Sequence, residues 1–460
     1  MIEKYLNNRF LILYIIPFIF GSLTVLSFAP FNFTIVNIII FPLFFYLLVY
    51  INKKSKAIYR KKPYKKNLFI FGLAFGFGFY LIGISWITNS LTFDENFKVL
   101  IPIALIFIPL FLSLFVGLMT LIIGPYLKLN FPSLLLFSAS FAFSDYLRSL
   151  VFTGFPWNLW AYSTSSFNEI LQIINQVGLH SYNLFVITIF SFPAIFFFKI
   201  SKINKLFCII LIFLIILSNF IYGNYKINKN KNFLKDANEK IYVKIISPNF
   251  DLKYGLNSQE IEERFEKLIR YSDPEKNKKT LFIWPEGVFS GYSYDQILKF
   301  KELIYKNFSN KHYIIFGVNT LDPISGGFYN SLLLINSNFD IIESYNKRKL
   351  VPFGEFLPFE NLLNKIGFKT ITNNIGSFTK GDERKVINVN NNIQKFNFLP
   401  LICYEIIYTG NLTKNNNYDY IMNISEDGWF GKSIGPKQHF IHSIFRAIES
   451  GKYVLRSANN

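Results

Sequence analysis

The chain is 460 residues long, 51% hydrophobic and 19% aromatic, which is too apolar for an ordinary soluble protein of this length. Much of its formal charge of +19 sits in short loops between apolar runs, a distribution that belongs to membrane topology and argues against a nucleic-acid-binding surface.

Apolar runs near 10–29, 34–51, 68–88, 100–125, 134–151, 182–198 and 206–222 are each roughly long enough to cross a hydrocarbon core. That core is about 30 Å thick and a helix rises about 1.5 Å per residue. The runs predict about seven membrane spans in a helical domain over residues 1–222, with Pro17 and Pro42 interrupting the first two. Lys4 and Arg9 precede the first span, eight Lys and Arg residues between Lys53 and Lys66 fill the loop after the second, and Lys199, Lys202 and Lys205 separate the last two. The loop at 89–99, by contrast, sets Asp94 and Glu95 against Lys98. Basic short loops stay cytoplasmic, so the amino terminus is expected inside and an odd number of crossings delivers the remainder to the outer side. The first run is about twice the length of a signal-peptide core. Its A-x-A-like Ser27-Phe28-Ala29 is followed by Pro30, so an uncleaved anchor is expected.

Between residues 223 and 239 the composition turns to Asn and Lys, which predicts a polar linker. Residues 240–460 then alternate strand and helix patterns. Strands are expected at Ile241–Ile246, Thr280–Trp284, Tyr313–Val318, Ser331–Ile335, Phe398–Cys403 and Tyr418–Ile424. Ser258–Tyr271 carries Ile261, Phe265, Leu268 and Ile269 on one helical face behind a capping-box pair, Asn257 and Glu260. Further helices are expected near 293–307 and 437–450, and the alternation implies a layered α/β domain.

Three polar residues stand at the ends of these apolar elements. Cys403 closes Leu-Pro-Leu-Ile-Cys-Tyr-Glu, Glu286 follows Phe-Ile-Trp-Pro, and Lys347 opens the run Lys-Arg-Lys-Leu-Val-Pro-Phe-Gly-Glu. A cysteine nucleophile needs a base for its proton and a positive group for the oxyanion that forms. Taken singly, each has an ordinary reading: a packed core thiol, a solvated loop carboxylate, a surface charge run. Cys208 lies within the last apolar run, so no disulfide with Cys403 is expected. His180, His312, His439 and His442 show no metal-ligand companions, and no glycine-rich phosphate loop is evident, so neither metal nor cofactor is expected.

Glu286, Lys347 and Cys403 occur in the order and local settings of the nitrilase superfamily of carbon–nitrogen hydrolases, and the chain resembles its membrane branch, the apolipoprotein N-acyltransferases. Leu-Ser-Phe-Ala-Pro-Phe (26–31), Phe-Gly-Phe-Gly-Phe-Tyr (75–80) with Trp86, and Thr-Gly-Phe-Pro-Trp-Asn-Leu (153–159) look like that branch's membrane signatures. Leu-Val-Pro-Phe-Gly-Glu-Phe (350–356), Cys403-Tyr404-Glu405, Asp427-Gly428-Trp429-Phe430 and Arg456-Ser457 look like those of its catalytic domain. The resemblance implies an α-β-β-α nitrilase-like sandwich attached to the helical bundle. It implies an acyl chain passing from a phospholipid, through a thioester on Cys403, to the α-amine of a diacylglyceryl-modified apolipoprotein. Glu286 would be the general base, Lys347 the oxyanion partner, and Glu355, Tyr404 and Glu405 supporting residues. Tyr254, Trp284, Trp157, Trp429 and Phe430 are candidates for substrate contact, and the location implied is the bacterial inner membrane with the catalytic domain outside.

The chain departs from the family pattern at Tyr254, where tryptophan is typical, and at Glu426, where asparagine is more frequent. Family members also continue past this point with further strands and a final membrane helix, so the sheet is expected to be truncated at its C-terminal end. A membrane-tethered amidase, in which water takes the acyl group, and a non-catalytic membrane scaffold are the competing readings.

Overall fold

A computed structural model of the chain describes residues 8–58, 63–93, 95–235, 242–253, 255–358, 377–390, 395–410, 412–415 and 417–459. Its first part is helical: α1 (Ile16–Thr24), α2 (Ile35–Ile58), α3 (Pro63–Gly83), α4 (Ile101–Ile123), α5 (Phe131–Leu150), α6 (Ile174–Ser191) and α7 (Lys202–Lys235). Among the described residues, five helical stretches are long and apolar enough to cross a membrane: Ile35–Ser55, Lys65–Gly83, Phe97–Tyr126, Ile174–Phe197 and Lys202–Lys231. The other two expected spans are also helices but of different character. Leu11–Ser27 is shorter, and α5 carries the ion pair of Asp145 and Arg148 at 3.0 Å.

Small residues set how closely α3 and α4 approach. A Cβ on Gly72 would lie 2.0 Å from Thr120 Oγ1, and one on Gly76 would lie 2.9 Å from Ser113 Cα. Tight contact of this kind replaces the hydrophobic driving force that lipid does not provide between helices. A buried polar network ties the aromatic loop after α5 to the bundle. Asn183 Nδ2 donates to Asp145 Oδ2 at 2.9 Å, Asn183 Oδ1 accepts the Ala161 N–H at 2.9 Å, and Arg148 donates to the Phe155 carbonyl.

The α/β part holds two sheets. The first has order β1-β2-β3-β4-β5, from β1 (Tyr242–Ile245), β2 (Thr280–Ile283), β3 (His312–Leu321), β4 (Phe328–Ile335) and β5 (Ile341–Asn346). The second has order β6-β7-β8-β9, from β6 (Ile387–Asn390), β7 (Lys395–Ile402), β8 (Tyr420–Glu426) and β9 (Tyr453–Asn459). Helices α8 (Ser258–Ser272) and α9 (Lys301–Asn307) precede β2 and β3, and α10 (Gly435–Ser450) joins β8 to β9, which pair in parallel.

Alternation along the central strands builds two cores from one sheet. Phe282, Trp284, Ile314, Phe316 and Leu333 meet Ile261, Phe265, Leu268 and Ile304 of the helices. Their neighbours Leu281, Ile283, Tyr313, Ile315 and Leu332 meet Phe398, Ile402, Met422 and Ile424 of the second sheet. Both faces of the central strands are therefore apolar, which is why they read as continuous hydrophobic runs. The capping box at Asn257 and Glu260 forms as expected, with Glu260 N–H donating to Asn257 Oδ1 at 2.9 Å and Asn257 N–H to Glu260 Oε2 at 2.8 Å.

Three strands lack a sequence signal: β5, β6 and β9. All are partly exposed sheet edges, so one-sided or absent burial leaves no apolar run to detect. The expected polar linker is different in structure. Helix α7 continues through its Asn- and Lys-rich segment to Lys235, because polarity alone does not end a helix that has no Gly or Pro stop after Gly223. The helix expected near 293–307 is two short helices, Tyr294–Ile297 and α9, separated by a 3-10 turn at Leu298–Phe300. By internal contacts the chain divides into a helical unit of Met1–Thr88, Lys98–Lys235 and Lys437–Glu449, and an α/β unit of Asn89–Phe97, Asp236–Pro436 and Ser450–Asn460. Most of α10 thus groups with the helical unit and the segment at 89–97 with the α/β unit, a division different from the sequential domains of 1–222 and 240–460.

Candidate active site

Residues that follow β2, β5 and β7 converge within the α/β unit. Glu286 lies three residues beyond β2, Lys347 directly follows β5, and Cys403 directly follows β7. The ends of parallel strands such as β2 and β7 are where open α/β sheets leave crevices for chemistry.

Lys347 is 1% exposed and its Nζ lies 2.8 Å from Glu355 Oε1 and 3.4 Å from Glu286 Oε1. Burial alone would push this amine down, but Glu286 and Glu355 outweigh it and hold Lys347 well above the ordinary lysine range, fully charged. Asn330 of β4 bridges the same two carboxylates, its Nδ2 donating to Glu286 Oε1 at 2.7 Å and Glu355 Oε1 at 2.8 Å. The Lys347 backbone is fixed by its N–H to the Asn330 carbonyl at 2.8 Å. Glu355 is fixed in turn because its Oε2 accepts the Val351 N–H at 2.8 Å. The other oxygen of Glu286, Oε2, accepts the Glu426 N–H at 3.0 Å.

Cys403 is 8% exposed and has φ +47°, left-handed backbone at the junction between β7 and a 3-10 turn, Cys403–Ile407. A non-glycine residue rarely adopts this conformation, and the surroundings must enforce it. Burial, reinforced by Glu286, pushes its thiol far above the usual cysteine range, against the opposing effect of Lys347. At rest Cys403 is therefore a thiol, and attack by its sulfur would require a base to take the proton.

Behind the cysteine, Glu405 is fully buried and forms a bracket. Its Oε1 accepts from Tyr345 Oη at 2.8 Å, Arg384 Nη2 at 2.7 Å, and the Arg348 and Lys349 N–H groups at 3.2 and 3.1 Å, while Oε2 accepts the Ile402 N–H at 2.9 Å. One side chain thus joins the segment after Lys347 to the residue before Cys403. Tyr404 is half-buried, its ring meeting that of Tyr408 edge-on at 5.5 Å.

The substrate-contact candidates separate. Trp284 is fully buried in the helix-side core, its Nε1 donating to Ser272 Oγ at 2.9 Å, a packing position. Trp429 is half-buried with its ring edge-on to Phe93 at 5.4 Å, and the carbonyl of buried Phe430 accepts from Asn89 Nδ2 at 2.6 Å. Trp157 belongs to the helical unit, where its Nε1 donates to Gln438 Oε1 at 2.8 Å. Tyr254 lies outside the described residues. Sequence reasoning missed Asn330 and Arg384. A polar residue opening the apolar run Ser331–Ile335 was the only trace of Asn330, and Arg384 sits among charged neighbours that mask its burial. Cys208 and Cys403 are both free thiols.

Comparison with known proteins covers both parts of the chain. Residues 20–192 match the model described as the apolipoprotein N-acyltransferase N-terminal domain, and residues 253–460 match the carbon-nitrogen hydrolase model. The apolipoprotein N-acyltransferase of Rhizobium rhizogenes is 28% identical over 455 residues, covering 95% of this chain and 83% of its own length. That of Rhodopseudomonas palustris is 29% identical over 463 residues, covering 97% and 83%. That of Agrobacterium fabrum is 30% identical over 398 residues, covering 84% and 73%. Among solved structures, the nitrilase-superfamily protein Nit3 of Saccharomyces cerevisiae is 17% identical, with TM-score 0.33 over 48% of this chain and 75% of its own. With relatives aligned across both its helical and its hydrolase-like parts, this chain belongs to the apolipoprotein N-acyltransferase family.

Proposed function

We propose that the protein moves an acyl chain from a phospholipid to the α-amine of an apolipoprotein's N-terminal diacylglyceryl-cysteine, by way of a thioester on Cys403. The observation that carries this reading is the meeting of a buried thiol in a strained turn with a charged lysine and a carboxylate that already share hydrogen bonds.

In the first half-reaction the Cys403 sulfur attacks the ester carbonyl while Glu286 takes the thiol proton. Lys347 faces the oxyanion that forms, in a desolvated setting where such a charge is most effective. Collapse of the tetrahedral species breaks the ester C–O bond, and the lysophospholipid oxygen leaves with the proton from Glu286. In the second, Glu286 deprotonates the incoming amine, which attacks the thioester carbonyl. The amide forms, the C–S bond breaks, and the proton returns to sulfur. Glu355 and Asn330 orient Lys347 and Glu286 throughout, and Tyr404 and Glu405 support the nucleophile's turn.

Both substrates are membrane lipids, and extracting a chain into water costs about 0.8 kcal/mol per CH₂. A helical anchor removes that requirement. The loop charges favour an amino terminus on the cytoplasmic side of the bacterial inner membrane and the α/β unit on the outer side. Trp157, Trp429 and Phe430 are the aromatic candidates for contact with lipid.

Mass spectrometry of the protein after exposure to phospholipid tests the proposal. An acyl adduct is expected on Cys403, lost in Cys403→Ala and discharged as an N-acylated product when a diacylated lipopeptide is added. No adduct on Cys403 overturns it. Free fatty acid as the sole product with lipopeptide present assigns the site to an amidase instead.

A further inference from the structure

Glu426 ends β8 and is 2% exposed, yet no cation pairs with its carboxyl among the described contacts. Oε1 accepts the Gly428 N–H at 2.9 Å and Oε2 accepts from Asn459 Nδ2 at 2.8 Å. Asn459 is itself fixed by the backbone of Phe250, accepting its N–H at 2.7 Å and donating to its carbonyl at 3.0 Å. On the other side Glu426 meets the proposed base directly. Its N–H donates to Glu286 Oε2 at 3.0 Å, and its carboxyl fills the space beside Gly287, where a Cβ would fall 2.7 Å from Oε2.

The charged groups facing this carboxyl are few. Glu286 and Asp427 are anionic neighbours, and Asp427 is paired with Arg456 at 2.7 Å. Arg264 of α8 is the nearby cation, but its Nη1 and Nη2 donate to the carbonyls of Val288 and Asp251, both at 2.8 Å.

Building on the reading of Glu286 as the general base, we propose that Glu426 is a positioning residue: its backbone N–H orients Glu286, and the charge on its carboxyl sets how strongly Glu286 draws the proton from Cys403. Burial pushes the Glu426 carboxyl up to about 8, with Glu286 and Asp427 adding to the rise and the hydrogen bonds from Asn459 and Gly428 opposing it. Below about pH 8 the group is mainly neutral; above it the group is mainly an anion. An anion at this position increases the proton affinity of Glu286 and favours transfer from the thiol. Reactivity of Cys403 should therefore gain a step as pH rises through that point.

The test is alkylation of Cys403 by iodoacetamide in the full chain in detergent, from pH 6.5 to 9.5, read by peptide mass so that Cys208 is counted separately. The ratio of wild-type rate to Glu426→Gln rate is expected to rise by about 3- to 10-fold, centred near pH 8, because a pKa change of one unit is a tenfold change in proton affinity. Asn459→Ala removes a donor that favours the anion, so the wild-type step should move to higher pH. A flat ratio overturns the proposal. If Glu426→Gln does not fold, an Asn459→Ala profile superimposable on wild type overturns it. Alkylation needs no lipid, so the two readings fail separately: a step without any phospholipid adduct sinks the acyl transfer alone, and an adduct without a step sinks the role of Glu426 alone.

Discussion

Two buried carboxylate clusters flank Cys403, and they bury charge in different ways. The bracket around Glu405 places a guanidinium, a phenol and three backbone N–H groups on one carboxylate. Burial would lower Arg384, yet Glu405 and Tyr345 outweigh it and raise the guanidinium's proton affinity. The pocket around Glu286 instead shares one lysine between two carboxylates and keeps a third, Glu426, on neutral donors only. A carboxylate holding five donors, a guanidinium among them, is a joint. The contrast is why Glu405, two residues after Cys403, is read as a structural joint, and Glu286, far earlier in the chain, is proposed as the base.

The largest expected effect would break this comparison if it failed. Glu405→Ala leaves Arg384 buried without its anion and should lower folding stability by about 3–5 kcal/mol, read as a large drop in the melting temperature of the detergent-solubilised protein. A slowed reaction with unchanged melting would make Glu405 part of the chemistry and erase the distinction. Lys347→Met tests the pocket. Loss of a single oxyanion partner should slow acyl-adduct formation on Cys403 by about 100- to 1000-fold in a quenched mass-spectrometric time course. Adduct formation at the wild-type rate would remove Lys347 from the mechanism. Asn330→Ala should be milder, about tenfold slower in the same assay, since a hydrogen bond to a charged group contributes about 1.5–3 kcal/mol and Lys347 still links the two carboxylates. An effect as large as that of Lys347→Met would show that the amide, and not the amine, holds Glu286 in place.

Legibility followed burial symmetry. β2, β3, β4, β7 and β8 have apolar cores to meet and read as hydrophobic runs, while three of the four edge strands, β5, β6 and β9, left no such pattern; the fourth, β1, was legible. Trp284 lies in phase with Phe282 and out of phase with Leu281 and Ile283, so alternation along the strand turns it into the helix-side core.

The residues themselves determined the division into a membrane-type helical part and an α/β part, the capping box of α8, and the three polar residues at the ends of apolar elements. These are local or periodic properties, readable from one stretch of chain. Only the tertiary structure decided that Asn330 bridges Glu286 and Glu355, that Glu405 ties Arg384 to the strand end before Cys403, and that Glu426 touches Glu286 across 140 positions of sequence. Each of those links depends on the register of strands distant in the chain, and a polar side chain carries no mark of the partner that packing will bring to it.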